Sequence, residues 1–130
     1  MKYTILLALL LGTIFTSCYK DAPCRDFRFE VKGEGVIDSV YYSFWGGEDA
    51  DDDLSGALGP GEVPVSVSQR YCGSDINYLI NVYMADSTTS FQLQVFIDDS
   101  MRLESTEVIR KYYEGTQYRY ALEAIGSISN

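Results

Sequence analysis

From Phe27 onward the chain alternates. Phe27, Phe29 and Val31 are separated by Arg28, Glu30 and Lys32, and a period of two belongs to a strand with one face buried and the other in water. The glycines of "KGEG" supply a turn, after which Val36, Val40, Tyr42 and Phe44 alternate with Ile37, Ser39, Tyr41 and Ser43, so a first hairpin is predicted. Val63, Val65, Val67 and Tyr71 share one side against Glu62, Ser66, Ser68 and Arg70. Pro64 has no N–H to give a ladder and marks an edge or a strand start. "CGSD" turns the chain into "INYLINVYM", whose inner set is Ile76, Tyr78, Ile80, Val82 and Met84. "ADSTTS" turns it again, and Phe91, Leu93, Val95 and Ile97 face inward against Gln92 and Gln94. "DDS" leads to Met101 and Leu103, and a last strand runs from about Gln117 to Ile125.

A helix is hard to place. Its best location, Ser105 to Tyr113, lacks a 3.6-residue period and is rich in β-branched and aromatic residues, so strand and turn are expected there. The spacing predicts an all-β domain of about seven antiparallel strands, an immunoglobulin-like β-sandwich.

Several local words in these strands resemble the small sandwich domains of the MmpS-like type, exported or membrane-anchored accessory proteins. They are "FEVKGEG" followed by "VIDSVYYS", the Gly-Pro lead into "VPVSVS", "FQLQVFIDD", and the closing "YRYALEAIGSI". Asp99 stands where that family usually has a Gly. The resemblance covers roughly residues 27 to 128 and implies an immunoglobulin-like fold and an accessory or binding role beside transport proteins of the cell envelope. It carries over no catalytic residue.

The N-terminus adds a compartment. Lys2 precedes an uncharged, Leu- and Ile-rich run to Phe15, then small Thr16 and Ser17, then Cys18. The run is too short for the ~20 residues of a membrane-spanning helix and ends where a signal peptidase would cut. Phe15 to Cys18 resembles a bacterial lipobox, in which the cysteine is acylated, although that family usually has Leu where Phe15 stands. The expected organisation is a signal peptide over 1–17, a lipid-anchored tether over 18–25 and the sandwich over 26–130. An ordinary secreted protein with Cys18 left over stays open. Lys20 and Asp21 partly resemble a surface-export tether, so an outer-membrane anchor facing either the periplasm or the cell surface is expected. With Cys18 lipidated, Cys24 and Cys72 remain, and in an oxidising compartment a disulfide is the simplest use of such a pair, with two buried thiols as the alternative.

Charge and composition then exclude chemistry. The 130 residues contain no histidine, which removes the usual base near neutral pH, the usual zinc ligand and any Ser-His-Asp arrangement. No phosphate-binding Gly-rich loop is present. Nineteen acidic against ten basic residues give a net charge of −9, so nucleic acid is not an expected partner. The expectation is a non-enzymatic module that binds or assists another envelope protein.

Two competing readings rest on named residues. The segment "GGEDADDDLSGALGPG", residues 46 to 61, is expected as a mobile loop without structure of its own, and it concentrates Glu48, Asp49, Asp51, Asp52 and Asp53. These are hard oxygen donors that could hold calcium in an adhesion module, the one cofactor considered, although Leu54 and Pro60 break any EF-hand pattern. Tyr41, Trp45, Tyr83, Tyr112 and Tyr113 are the aromatics expected to point outward, and they could stack on sugar rings in a carbohydrate-binding lipoprotein. Asp98 and Asp99 sit next to each other on opposite faces of a strand, cannot flank one glycosidic bond, and read as a hairpin turn.

Overall fold

A computed structural model describes residues 22–84, 90–113 and 117–129; the side chains of Tyr112, Tyr113, Gln117 and Tyr118 lie outside that description. The signal segment, Cys18 and most of the "ADSTTS" turn lie outside it as well. Every described element is a strand: β1 Cys24–Gly33, β2 Val36–Ile37, β3 Ser39–Gly46, β4 Leu54–Leu58, β5 Gly61–Glu62, β6 Val65–Cys72, β7 Asp75–Met84, β8 Phe91–Ile97, β9 Ser100–Ser105, β10 Ile109–Tyr113 and β11 Gln117–Ser129. Among the described residues no helix is long and apolar enough to cross a membrane.

The strands form a four-stranded sheet in the order β6-β1-β8-β9, a five-stranded sheet in the order β10-β11-β7-β3-β4, and a short β2-β5 ladder. All pairings are antiparallel. The two larger sheets pack face to face. Phe27 of one lies 4.8 Å, ring to ring, from Phe44 of the other, and Phe44 also stacks on Phe29 and Tyr71 at 5.8 and 5.6 Å. The even-numbered inner set of β7, and Phe91, Leu93, Val95 and Ile97 of β8, are buried as the alternation predicts.

The predicted first hairpin does not form. β1 pairs with β6 and β8, whereas β3 pairs with β4 and β7 in the opposite sheet. Gly33 and Gly35 take φ values of 133° and 118°, and a Cβ on Gly33 would meet the Phe91 ring at 2.9 Å. These glycines end β1 and send the chain across the core. There Ile37 is buried and Val36 is 55% exposed, which reverses the expected facing, because parity slips by one residue before Val40.

The eleven strands among the described residues also exceed the seven that periodicity suggested. The additional ones are short. β2 and β5 are two residues each, and β4 lies inside the segment expected to be loop. Over 105–113, expected as strand and turn, β9 ends at Ser105, β10 spans Ile109–Tyr113, and the stretch 106–108 between them is irregular. β1 begins at Cys24, so the domain reaches two residues into the expected tether.

Two close approaches set the register of the five-stranded sheet. Tyr42 faces Gly56 and Tyr78 faces Gly126 across paired strands, and a Cβ on either glycine would collide with the tyrosine ring lying over it. A ring covering a cross-strand glycine restores the contact that a missing side chain would forfeit.

Candidate functional site

The corner where the chain enters the domain is built from sulfur and carboxylate. Cys24 and Cys72 are register partners on β1 and β6 and are joined by a disulfide within the four-stranded sheet. The acidic segment folds onto this corner. Asp51 accepts from the Cys72 amide at 3.0 Å and donates its own amide to the Cys72 carbonyl at 2.8 Å. Asp49 accepts from the Ser74 amide at 3.2 Å and from its hydroxyl. Ala50 wedges where a Cβ on Gly73 or Gly46 would have to go. Tyr71 donates its hydroxyl to the Asp51 carbonyl at 2.7 Å, and burial, then the carboxylates of Asp53, Asp51 and Asp52, raise its pKa above the ordinary phenol value.

The expectation of a mobile loop is therefore corrected. Five clustered carboxylates repel one another, but the Cys72–Ser74 turn presents backbone donors that two of them satisfy, and a charge-assisted bond outweighs screened repulsion at the surface. All five candidate calcium ligands are exposed, and they divide by their bonds: Asp49 and Asp51 accept from backbone amides of the Cys72–Ser74 turn. Among the described residues no three acidic side chains are grouped closely enough to hold a metal ion.

The outer faces of the two sheets differ. On the four-stranded sheet, Arg28 pairs with Glu30 and Asp99 at 3.2 and 2.9 Å and lies 4.5 Å over the Phe96 ring, and Arg70 pairs with Asp26 at 3.3 Å. This is a solvated, ion-laced surface. The β4, β3 and β7 part of the five-stranded sheet's outer face carries Ser39, Tyr41, Ser43 and Trp45 from β3, Asn77, Leu79, Asn81 and Tyr83 from β7, and Ser55 and Ala57 from β4, none of them charged, while β10 and β11 bring Lys111, Arg119 and Glu123 onto the same face.

Near one end of this face a depression of about 300 Å³ is lined by Ser39, Val40, Tyr41, Ala57 and Tyr83. Tyr41 donates to Ser55 Oγ at 3.4 Å, and Ser55 Oγ donates to Ser43 Oγ at 3.2 Å, which orients the Tyr41 ring along the strands. Beside it, Asn81 is only 3% exposed although it faces outward, and its Oδ1 accepts from Lys111 at 3.1 Å. Lys111 also pairs with Glu123, while burial pulls its pKa below the ordinary lysine range.

The outward aromatics do not form one platform. Tyr41 is 37% exposed, Tyr83 faces outward but is only 9% exposed, and Trp45 lies four residues along β3 from Tyr41, about 13 Å away. Tyr112 and Tyr113 fall on β10, with side chains outside the described residues. The sequence reading missed Asn81, Lys111 and Glu123. The one available signal was a polar Asn in the middle of "INYLINVYM", the most apolar strand. No family profile, curated protein or solved structure matches this chain.

Proposed function

We propose that this protein is a non-enzymatic binding module, anchored to the outer membrane through acylated Cys18, that engages another envelope protein through the outer face of its five-stranded sheet. The observation that carries the reading is the contrast between the two outer faces: the four-stranded one is laced with ion pairs, whereas the five-stranded one has an uncharged stretch across β4, β3 and β7 that holds the Tyr41–Tyr83 depression and is bordered by the Lys111–Glu123 pair. Interface cores are depleted in charge and enriched in tyrosine and tryptophan, and the uncharged stretch across β4, β3 and β7 has that composition. An immunoglobulin-like sandwich of the MmpS-like accessory kind fits two stacked antiparallel sheets. The disulfide is a departure from antibody domains, because it ties neighbouring strands instead of bridging the sheets.

The test is site-specific photocrosslinking in cells. A photoreactive residue replacing Tyr41 should give a discrete protein adduct, and the same residue replacing Arg28 on the other sheet should not. Equal adducts from both positions, or adducts from the Arg28 side alone, would overturn the assignment of the face.

A further inference from the structure

The four outermost strands of the two large sheets are not protected alike. An edge strand offers unpaired N–H and C=O groups to any extended chain, and proteins blunt such edges with charge, proline or bulges. β6 carries Arg70 and follows Pro64; β9 carries Arg102 and Glu104 and sits beside a register shift at Val95/Phe96; β10 carries Arg110 and Lys111. β4 is "LSGAL". It has no charge, no proline and no recorded register shift, and among the described residues nothing pairs with its far side.

We infer that β4 accepts an extended segment of a partner protein as a sixth strand, antiparallel to itself, with an apolar side chain in the Tyr41–Ala57–Tyr83 depression and a basic side chain at Asp53. The inference rests on the protein-binding reading above and deepens it.

Geometry and charge fix the occupant. Ala57 lines the depression at one end of β4, and Asp52 and Asp53 immediately precede Leu54 at the other. Both aspartates are exposed, and no described cation forms an ion pair with them. Residues 55 and 57 share one strand parity and face outward, and Asp53, which directly precedes β4, stands about 13 Å along the chain from Ala57. An antiparallel strand meets them with an apolar residue followed four positions later by Lys or Arg. A second copy of this chain is disfavoured by its net charge of −9, whereas a basic segment is attracted. Recognition of this kind draws affinity from main-chain bonds and selectivity from alternate side chains.

The experiment uses the full chain, isotopically labelled, and a synthetic peptide Thr-Thr-Phe-Thr-Val-Thr-Lys-Thr blocked at both ends. Amide shifts should concentrate on residues 54–58 and at Tyr41. Changing the peptide Lys to Glu, or Asp53→Asn in the protein, should weaken binding roughly two- to fivefold, the size of an exposed ion pair. Ala57→Lys, which gives β4 the charge its counterparts carry, should weaken it by about tenfold or more; Ala57 is exposed, so this variant should fold. Shifts centred on β6, β9 or β10, or no shifts at millimolar peptide, would overturn strand addition. So would dilution-dependent shifts at 54–58 without peptide, which would make a second copy the occupant. A Tyr41 crosslink that persists through such failures would leave the binding-face reading intact, whereas its absence would remove both.

Discussion

Asp98 and Asp99 make the β8–β9 turn with φ values of 50° and 62°, a conformation that asparagine, aspartate and glycine tolerate best. Each is held by an arginine of β1: Arg25 donates to Asp98 at 2.8 Å and Arg28 to Asp99 at 2.9 Å. The Asp26 amide also donates to Asp98, at 3.1 Å. The Arg25 hydrogen bond first, then that amide, hold the Asp98 carboxyl below its ordinary pKa of 3.8. A depressed folded pKa means that the contribution of Asp98 is fully present above about pH 4 and is lost as pH falls through the folded value. Denaturation of the protein and of Asp98→Asn should therefore differ at pH 7 and converge toward pH 2; a gap that stays constant would contradict this. Asp99 is different, since it is 89% exposed and its ion pair contributes little. Asp99→Gly should leave stability unchanged or raise it by up to about 1 kcal/mol, because glycine takes a positive φ without a Cβ penalty. Gly126 allows no such exchange. Gly126→Ala drives a methyl into the Tyr78 ring, and a loss of roughly 1–3 kcal/mol by urea unfolding is expected, the usual cost of overpacking.

At the scale of elements, the disulfide and the acidic segment form one unit around the turn between β6 and β7. Cys24 and Cys72 are 48 residues apart in sequence, and the bridge restricts the unfolded chain by about 4 kcal/mol in the loop-entropy account. Removing both cysteines by Cys24→Ser with Cys72→Ser should lower the unfolding free energy by most of that amount, yet leave the far-ultraviolet spectrum of a β protein, since β1 and β6 also pair at seven positions beyond the bridged one. Asp51→Ala should act more locally, speeding amide exchange at Cys72 with little effect at Ile80. What the sequence made legible here follows from physics of different range. Alternation exposed the inner faces of β1, β7 and β8, because burial on one side of a strand is written in every second residue. It could not say that β1 and β3 lie in opposite sheets, since a Gly-rich turn permits either a hairpin or a crossing, and the choice falls to Ile37 finding the core. The acidic segment looked mobile because its repulsions are local and visible, while the amides that bind Asp49 and Asp51 come from residues more than twenty positions away. β4 was hidden for the same reason: "LSGAL" has no strand signal of its own and is held by its pairing with β3 and by the Tyr42 ring over Gly56.

Over the whole molecule, the proposed anchor, the disulfide corner and the binding face fall along one axis. The chain enters at Pro23, whose carbonyl accepts from Gly73 at 2.8 Å, next to the start of β7 at Asp75. Tyr83, eight residues along that strand, is roughly 26 Å away. Five residues from Cys18 to Pro23 reach at most about 18 Å, so a lipid on Cys18 would hold the Asp75 end toward the bilayer and leave the Tyr41–Tyr83 depression pointing away from it. The carboxylates of Glu48, Asp52 and Asp53 would then lie at the membrane-facing end, where anionic headgroups repel them and favour an upright domain over one lying flat. This arrangement depends on the acyl chain. A protein labelled metabolically with fatty acid should lose the label on Cys18→Ser and move from the membrane fraction to the soluble one. Its unfolding midpoint should stay where it was, because position 18 precedes the first strand by six residues. Lipid retained on the substituted protein would rule out Cys18 as the attachment point, and a changed midpoint would mean that the segment before Cys24 contributes to the fold.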